Sequence, residues 1–336
     1  MLTFRRGTVV EAGPTDAPEQ RVQVEVDGAR RAAIADLGLV GACAVGDDVV
    51  VNTAAVDLGL GSGGFDVVHV NLTRGLGGAG TEGAHVMKLN YTSLQHAVHP
   101  VEGEELKLPL DRPAAVFGLH GQLAPIAWAF GQARPGAKLG YVQTAGGALP
   151  GGHSRVVRDL RARGLLAGHI TAGPAFGGEE EAITTAGAIH HGLAERGWDA
   201  VVCGPGPGIL GSASALGHGG MFALDSAHAA AALGCPVVVC ARMSDTDDRR
   251  RHRGLSHHTV TVLALLLARV TVAFPAGEAM QLGGLSLESH VVRELVVDLN
   301  GYVASGLPAR SMGREDPLFF AAALACGAAL ADTLPG

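Results

Sequence analysis

The pattern of apolar and polar positions changes at about residue 110. Before that point, short segments such as 20–26 alternate apolar and polar residues, which is the period of a β-strand with one buried face. Asp27-Gly28 separates this segment from Ala29–Ile34 and favours a hairpin turn. No convincing helical period occurs in this part of the chain. Residues 1–110 are therefore predicted to form a small β-barrel or β-sandwich domain.

From residue 111 onward, apolar strand-like runs alternate with glycine-rich turns and helical segments. The predicted strands lie at 114–119, 138–143, 168–171, 199–203, 236–240 and 269–274. The predicted helices lie at 122–130, 154–163, 179–196, 219–233, from 257 onward, at 287–295 and at 317–330. This alternation is typical of a doubly wound, mostly parallel sheet with helices on both faces. Residues 111–336 are thus predicted to form a Rossmann-like α/β domain that carries the site.

Composition narrows the classes of function. The 336 residues are 47% hydrophobic and include 50 glycines, which predicts a large core with tight turns. Only 4% are aromatic and the net charge is -7, so neither nucleic acid nor an anionic membrane is an expected partner. Five cysteines without a Cys-x-x-Cys pair, and an N-terminal segment without an apolar signal core, favour a reducing, cytoplasmic location.

Five of the predicted strands end in glycine-rich or histidine-rich loops. These loops lie at 118–122, 143–150, 171–179, 204–211 and 245–259. Ligands bind beyond the carboxyl ends of the strands in open α/β sheets, so the loops are predicted to share one site. Any single glycine-rich turn is explained as well by close packing of a helix on a strand. Only the five together favour a binding site.

The fourth loop is a candidate anion-binding turn. Its glycines are Gly204, Gly206, Gly208 and Gly211. The last three match the spacing Gly-x-Gly-x-x-Gly, but Pro207 removes a backbone donor and no acidic residue follows at the spacing for ribose binding. These departures disfavour a dinucleotide site. A tight anion-binding turn is expected instead, with Arg253 of the fifth loop as a second anion ligand.

The fifth loop holds three histidines within seven residues, beside carboxylates and arginines. In one interpretation, a divalent transition metal such as Zn²⁺ is bound by His252, His257 and His258, with Asp245 or His120 completing the set. Adjacent helical residues point about 100° apart, so only one of His257 and His258 is expected to be a ligand or a base. In another, Arg242, Arg251 and Arg253 bind a phosphate or carboxylate of the substrate. Ion pairs within the loop explain its charges equally well.

A third interpretation of this loop is acid–base catalysis. His257 or His258 would act as a general base on water or on Ser256, with His120 of the first loop as a further catalytic candidate. Ser256 precedes the predicted helix, where serine is also a preferred N-cap. The sequence leaves metal binding, base catalysis and capping open.

The chain resembles a bacterial family known as domain of unknown function 3866. The segments that carry the resemblance are 85–95, 116–125, 175–178, 204–211, 252–259 and 311–314. The most specific of them is His252–Thr259, and the resemblance spans essentially the whole chain. It implies no established activity, cofactor or partner.

These observations together predict a metal- or histidine-dependent hydrolase that acts on a small phosphorylated or otherwise anionic metabolite. The alternative is a non-catalytic binding protein or sensor for a nucleotide or similar metabolite. A homodimer is also considered, because the alanine-rich segment at 317–330 permits a helical interface.

Overall fold

The alternating valines of the N-terminal strands form the inside of a barrel in the computed structural model, which describes residues 2–60, 63–278 and 289–335. The strands are β1 (Phe4–Ala12), β2 (Glu19–Val26), β3 (Ala29–Asp36), β4 (Asp48–Asn52) and β5 (Asp66–Asn71). They close in the order β1-β2-β3-β5-β4, with β3 and β5 parallel and the other pairs antiparallel. The predicted β architecture is confirmed, and it is a barrel.

This strand order is that of the OB-fold, a barrel that binds oligonucleotides or oligosaccharides in other proteins. Residues 1–99 carry 11 acidic against seven basic side chains, which is unfavourable for a nucleic-acid backbone. Two single-turn helices, α1 (Leu37–Val40) and α2 (Ala54–Asp57), were not expected from the sequence. A separate antiparallel hairpin consists of β6 (Val86–Lys88) and β7 (His96–Val98).

The chain divides into two compact units, Met1–His99 and Pro100–Gly336. The predicted boundary after residue 110 therefore moves to residue 99. Residues 100–110 join the second unit through backbone hydrogen bonds, because the Val101 amide donates to the Glu181 carbonyl and the Leu110 amide to the Leu233 carbonyl, at 2.8 and 3.0 Å.

The second unit is built on a parallel sheet of eight strands. In chain order the strands of this unit are β8 (Ala114–Val116), β9 (Leu139–Thr144), β10 (Gly168–Ala172), β11 (Glu180–Ala182), β12 (Ala200–Pro205), β13 (Val237–Cys240), β14 (Met243–Ser244), β15 (Gly254–Leu255), β16 (Thr271–Pro275) and β17 (Val291–Leu295). The sheet runs β11-β10-β9-β12-β8-β13-β16-β17, while β14 and β15 form a short antiparallel pair.

Helices cover both faces of this sheet. They are α3 (Leu123–Ala133), α4 (Arg155–Ala162), α5 (Thr185–His190), α6 (Phe222–Ala232), α7 (His257–Leu265), α8 (Leu299–Ala304) and α9 (Pro317–Asp332). Along β12, Ala200 and Val202 pack with α3, α4, α8 and α9, whereas Val201 and Cys203 pack with α5, α6 and α7. The doubly wound, Rossmann-like architecture is confirmed. Because α9 is buried in this core, its alanines do not support the predicted homodimer.

Two helix predictions are wrong. The segment 179–196 begins with strand β11, and α5 starts only at Thr185. The Glu102 side chain accepts the amides of Ile183 and Thr184, a tertiary contact that favours the turn between the two elements. Of the predicted helix 287–295, residues 287 and 288 lie outside the described residues, and 291–295 form β17, whose backbone pairs with β16.

The chain reverses its winding direction between β8 and β12. These strands are neighbours, but the chain leaves β8 towards β9 on one side and leaves β12 towards β13 on the other. Such a reversal opens a crevice at the carboxyl ends of the two strands, where doubly wound proteins bind ligands. Because the sheet is parallel, the loops after β8, β9, β12 and β13 all lie along this edge.

Candidate functional site

Four histidines meet at the carboxyl edge of β12 and β13. His252, His257 and His258 come from the loop after β13 and the start of α7, and His218 comes from the loop after β12. The rings of His218 and His258 stack with centroids 3.6 Å apart, and those of His257 and His258 lie 4.4 Å apart. One nitrogen from each of His218, His257 and His258 lies within 4.8 Å of the others.

The start of α7 holds three of these rings in place. Ser256 is buried and caps the helix by accepting the His258 amide at 3.3 Å, as the capping interpretation predicted. Its Oγ also lies 2.7 Å from His252 Nδ1. The hydroxyl is therefore engaged twice in the described structure. Its predicted catalytic role stays a prediction.

His218 was missed by the sequence reasoning. It pairs with Gly211 in an isolated antiparallel bridge, so the glycine-rich loop positions it. The next residue, Gly219, approaches the loop after β9 so closely that a Cβ there would lie 1.9 Å from the Gly146 carbonyl oxygen. A histidine directly before two glycines at a helix start was the available signal, but the predicted loop ended at residue 211.

A buried arginine sets the protonation of His258. Arg242 is 5% exposed, and its Nη1 donates to His258 Nδ1 at 2.9 Å. Because a guanidinium has no acceptor, His258 accepts at Nδ1 and carries its proton on Nε2. His258 can thus donate a hydrogen bond from Nε2. It can bind a metal only if the bond from Arg242 breaks.

All four rings are neutral at neutral pH. Burial, followed by the charge of Arg242, lowers the pKa of His258 to about 2 and that of His252 to about 3. Burial likewise lowers the pKa of His218 and His257. Neutral imidazole is the form that binds transition metals.

Several nitrogens of this cluster have no internal partner. In the described parts of the chain, neither ring nitrogen of His218 nor Nε2 of His257 makes a hydrogen bond, although all three atoms are buried. The Ala215 carbonyl favours protonation of His218 without reaching hydrogen-bond geometry. Buried polar atoms without a partner indicate a ligand or an ordered water.

The predicted metal ligands are placed differently from one another. Within the described ranges, the group of close nitrogen ligands contains His257 but neither His252 nor Asp245. His252 is held by Ser256. Asp245 is exposed and lies near Asp316. Burial and the Asp245 charge raise the pKa of the Asp316 carboxyl, although hydrogen bonds from Ser244 and the Phe319 amide oppose this shift.

His120 lies at the crevice between β8 and β12. Its Nδ1 donates to the Pro205 carbonyl at 3.1 Å, and its Nε2 accepts from Ser154 Oγ at 2.8 Å. Ser154 also caps α4 by accepting the Val157 amide. Burial lowers the pKa of His120 to about 4. Both of its nitrogens thus link loops of the fold, and its catalytic role stays a prediction.

The glycine loop after β12 packs tightly against its neighbours. A Cβ at Gly204 would lie 2.4 Å from the Phe117 ring, and one at Gly206 would lie 2.3 Å from the Ala148 carbonyl oxygen. Gly208 adopts φ +68°, which favours glycine, and Gly211 pairs with His218. Close packing explains the glycines at positions 204 and 206. The predicted anion-binding role of this loop stays a prediction.

Arg253 also has a structural contact. Its Nε donates to the Asp247 carbonyl at 2.9 Å, which closes the loop after β13. Arg253 is exposed. Its predicted role as an anion ligand therefore stays a prediction.

The buried histidines predict acid sensitivity of the fold. His252 has a pKa of about 3 in the folded chain against 6.5 ordinarily, so below pH 6.5 the unfolded chain binds a proton that the folded chain does not. The stability that neutral His252 contributes is fully present above pH 6.5 and falls as the pH drops towards 3. The variant His252→Asn keeps an acceptor for the Ser256 hydroxyl but has no group that titrates in this range. Between about pH 7.5 and about pH 5 it should therefore lose about 1–2 kcal/mol less unfolding free energy than the wild type.

Chemical denaturation at the two pH values measures this difference. Arg242 and Arg249 act in the same direction as burial, and Asp247 opposes them. Equal losses in the wild type and in His252→Asn would contradict the assignment of this acid sensitivity to His252.

A comparison with known protein families confirms the resemblance noted above. The family described as "Protein of unknown function (DUF3866)" matches residues 32–327. No curated protein and no solved structure matches the chain significantly. In the described residues, no helix has the length and apolar character needed to cross a bilayer.

Proposed function

The chain belongs to the domain of unknown function 3866 family, and we propose from its site that it is a metal-dependent hydrolase acting on a small anionic metabolite. The observation that carries the proposal is the group of three imidazole nitrogens within 4.8 Å of one another. It lies beside a buried arginine, at the sheet edge where this fold class binds ligands.

The donor set fits a transition metal such as Zn²⁺. His218 and His257 are neutral and have buried nitrogens without hydrogen bonds among the described residues, so each can offer a lone pair to an ion in the tautomer that leaves such a nitrogen unprotonated. His258 would join them only by giving up the bond from Arg242. When bound, the metal would supply Lewis-acid activation of a water molecule or a carbonyl or phosphoryl oxygen.

The other residues would orient and stabilise the substrate. Arg242 keeps the His258 proton on Nε2, from which His258 would donate to an oxygen that gains negative charge during hydrolysis. A divalent ion beside the Arg242 cation leaves positive charge that an anionic substrate would neutralise. This charge balance supports an anionic rather than a cationic substrate.

Metal content and turnover test the proposal together. After chelator treatment, equilibrium dialysis against Zn²⁺, Mn²⁺ or Co²⁺ should restore about one tightly bound ion per chain. The reloaded protein should release p-nitrophenol from p-nitrophenyl phosphate or p-nitrophenyl acetate, and the stripped protein should not. Absence of stoichiometric metal, or equal turnover before and after stripping, would refute a metal-dependent hydrolase.

The binding-protein alternative is favoured by one contact. Because Arg242 donates to His258, two of the three clustered imidazoles in the described structure remain available to a metal. Arg242 and His258 can still donate hydrogen bonds to an anion, and such binding requires no catalysis. If anions raise the melting temperature but no metal supports turnover, this alternative is supported. A cytoplasmic location and a homodimer remain predictions.

A further inference from the structure

Three arginines share one buried carboxylate beside the histidine cluster. Asp247 is 1% exposed and accepts from both Nε and Nη2 of Arg249, at 2.9 and 2.8 Å. Arg314 Nη2 donates to the same carboxylate at 3.0 Å, and Arg242 Nη2 lies 3.8 Å from it. These ion pairs, with the hydrogen bond from Arg249 first among the causes, hold the pKa of Asp247 far below its usual range. Three cations and one anion leave two positive charges in excess.

Arg242 connects this cluster to the histidines. Its Nη1 donates to His258 and its Nη2 faces Asp247, so the two groups adjoin across a single guanidinium. Burial, with the charge of Arg249 next, lowers the pKa of Arg242 to about 10, which leaves it cationic at neutral pH. The nearby Asp316 carboxylate accepts from Ser244 Oγ at 2.6 Å and from the Phe319 amide at 3.3 Å, so its hydrogen bonds go to these groups.

A strained turn presents Arg314 to the cluster. Ser311 and Arg314 exchange two backbone hydrogen bonds of 2.9 Å, with Met312 at φ 50° and Gly313 at φ 79° between them. A non-glycine residue in the left-handed region costs energy and often marks a functional segment. The Nε of Arg314 is buried and makes no hydrogen bond in the described chain. The turn therefore places the Arg314 guanidinium beside Asp247, with Nε as an unpaired donor among the described residues.

The segment after this turn is anchored to the loop that carries Asp247. Thr246 Oγ1 donates to the Glu315 carbonyl at 3.1 Å, and Ser244 Oγ donates to Asp316 at 2.6 Å. The Asp247 amide in turn donates to Ser244 Oγ at 3.0 Å. These contacts tie the position of Arg314 to that of the histidine loop.

We propose that Arg242, Arg249 and Arg314 form a subsite for a dianionic phosphate group of the substrate. The two excess charges equal the charge of a phosphate monoester dianion, and planar guanidinium forks suit phosphate oxygens. This inference rests on the proposed function, because it names a phosphate monoester as the substrate class of that hydrolytic site. It assigns Arg314 a role in binding, while Arg253 holds the loop.

Inorganic phosphate is the direct probe. Isothermal titration of the full-length, metal-free protein with inorganic phosphate is carried out at about pH 8, above the second pKa of phosphate, so that the ligand is mainly dianionic. Sodium chloride of matched ionic strength corrects for screening, and acetate tests for a monoanion preference. Phosphate should bind more tightly than acetate, and Arg314→Gln should weaken phosphate binding about tenfold or more. The phosphate affinity of Arg314→Lys should lie between those of the wild type and Arg314→Gln.

Arg293→Gln is the matched control, because Arg293 is 40% exposed and forms one 2.8 Å ion pair with Asp332, much as Arg314 is 30% exposed and pairs with Asp247 at 3.0 Å. It should leave phosphate binding unchanged. If Arg314→Gln does not fold by circular dichroism, Arg249→Gln provides the same test on a side chain that is 42% exposed.

The outcomes separate this subsite from the hydrolase itself. Phosphate heats equal to the chloride control, equal affinity in Arg314→Gln and wild type, or acetate bound as tightly as phosphate would each overturn the subsite. Phosphate binding without metal-dependent turnover would leave the subsite standing and remove the hydrolase. Hydrolysis of p-nitrophenyl acetate without phosphate binding would do the reverse.

Discussion

His257→Ala should reduce metal-dependent hydrolysis by roughly 10²-fold or more and weaken metal binding by roughly 10-fold or more. The reason is that His257 Nε2 is a buried nitrogen without an internal partner among the described residues. Its loss removes no hydrogen bond from that nitrogen, so we expect the melting temperature to change little. Metal isotherms, kcat/KM and thermal unfolding of the purified variant measure the three effects separately.

Two further variants make this prediction specific. His218→Ala should lose metal affinity in the same way, whereas His258→Ala should lose turnover but keep the metal, because Arg242 occupies the His258 lone pair. His85→Ala replaces an exposed histidine of the other unit and should change neither property. If His257→Ala retains wild-type affinity and kcat/KM, the assignment of the metal to this cluster is wrong.

Gly140→Ala should destabilise the α/β unit by roughly 3 kcal/mol or more. Gly140 lies in β9, and a Cβ there would stand 1.7 Å from Cε3 of the Trp198 indole. Trp198 is 3% exposed, and Cβ atoms at Gly168 and Gly192 would also approach its indole to 2.7 and 2.3 Å. Glycines on several sides leave the ring no space to move away, so the added methyl group strains the core. Denaturant unfolding measures the free-energy change.

A control and a double mutant complete this test. Gly103→Ala adds a methyl group where no atom lies within 4 Å, so it should be neutral within about 0.5 kcal/mol. Trp198→Phe should cost less in the Gly140→Ala background than in the wild type, because the smaller ring relieves the clash. Strictly additive effects of the two substitutions would contradict the packing explanation.

The periodic patterns predicted the architecture because each reports one local cause. Alternating residues such as Val22, Val24 and Val26 bury one side chain in two, and this burial selects a strand with one face in the barrel. The apolar runs of the second unit selected strands buried on both faces. The segment 179–196 failed because pairing of β11 with β10 and the contacts of Glu102 outweigh local helix preference.

The candidate site was predicted only in part. The loop from Asp245 to Thr259 was singled out for its histidines, and Ser256 was anticipated as a cap. The stacking of His218 on His258 joins residues from loops that follow different strands, and periodicity carries no information about such a meeting. The same holds for Arg314, which reaches Asp247 from 67 residues away.

By itself, the sequence determined a small N-terminal β unit, the alternating α/β unit and the loop at which polar chemistry concentrates. Each follows from burial preferences that act between residues close along the chain. Only the tertiary structure decided which histidines share a site, which nitrogen of His258 carries the proton and which arginines surround Asp247. These depend on the parallel sheet, whose carboxyl ends bring the loops after β12 and β13 to one edge, and on the hydrogen bonds that tie Glu315 and Asp316 to the loop after β13.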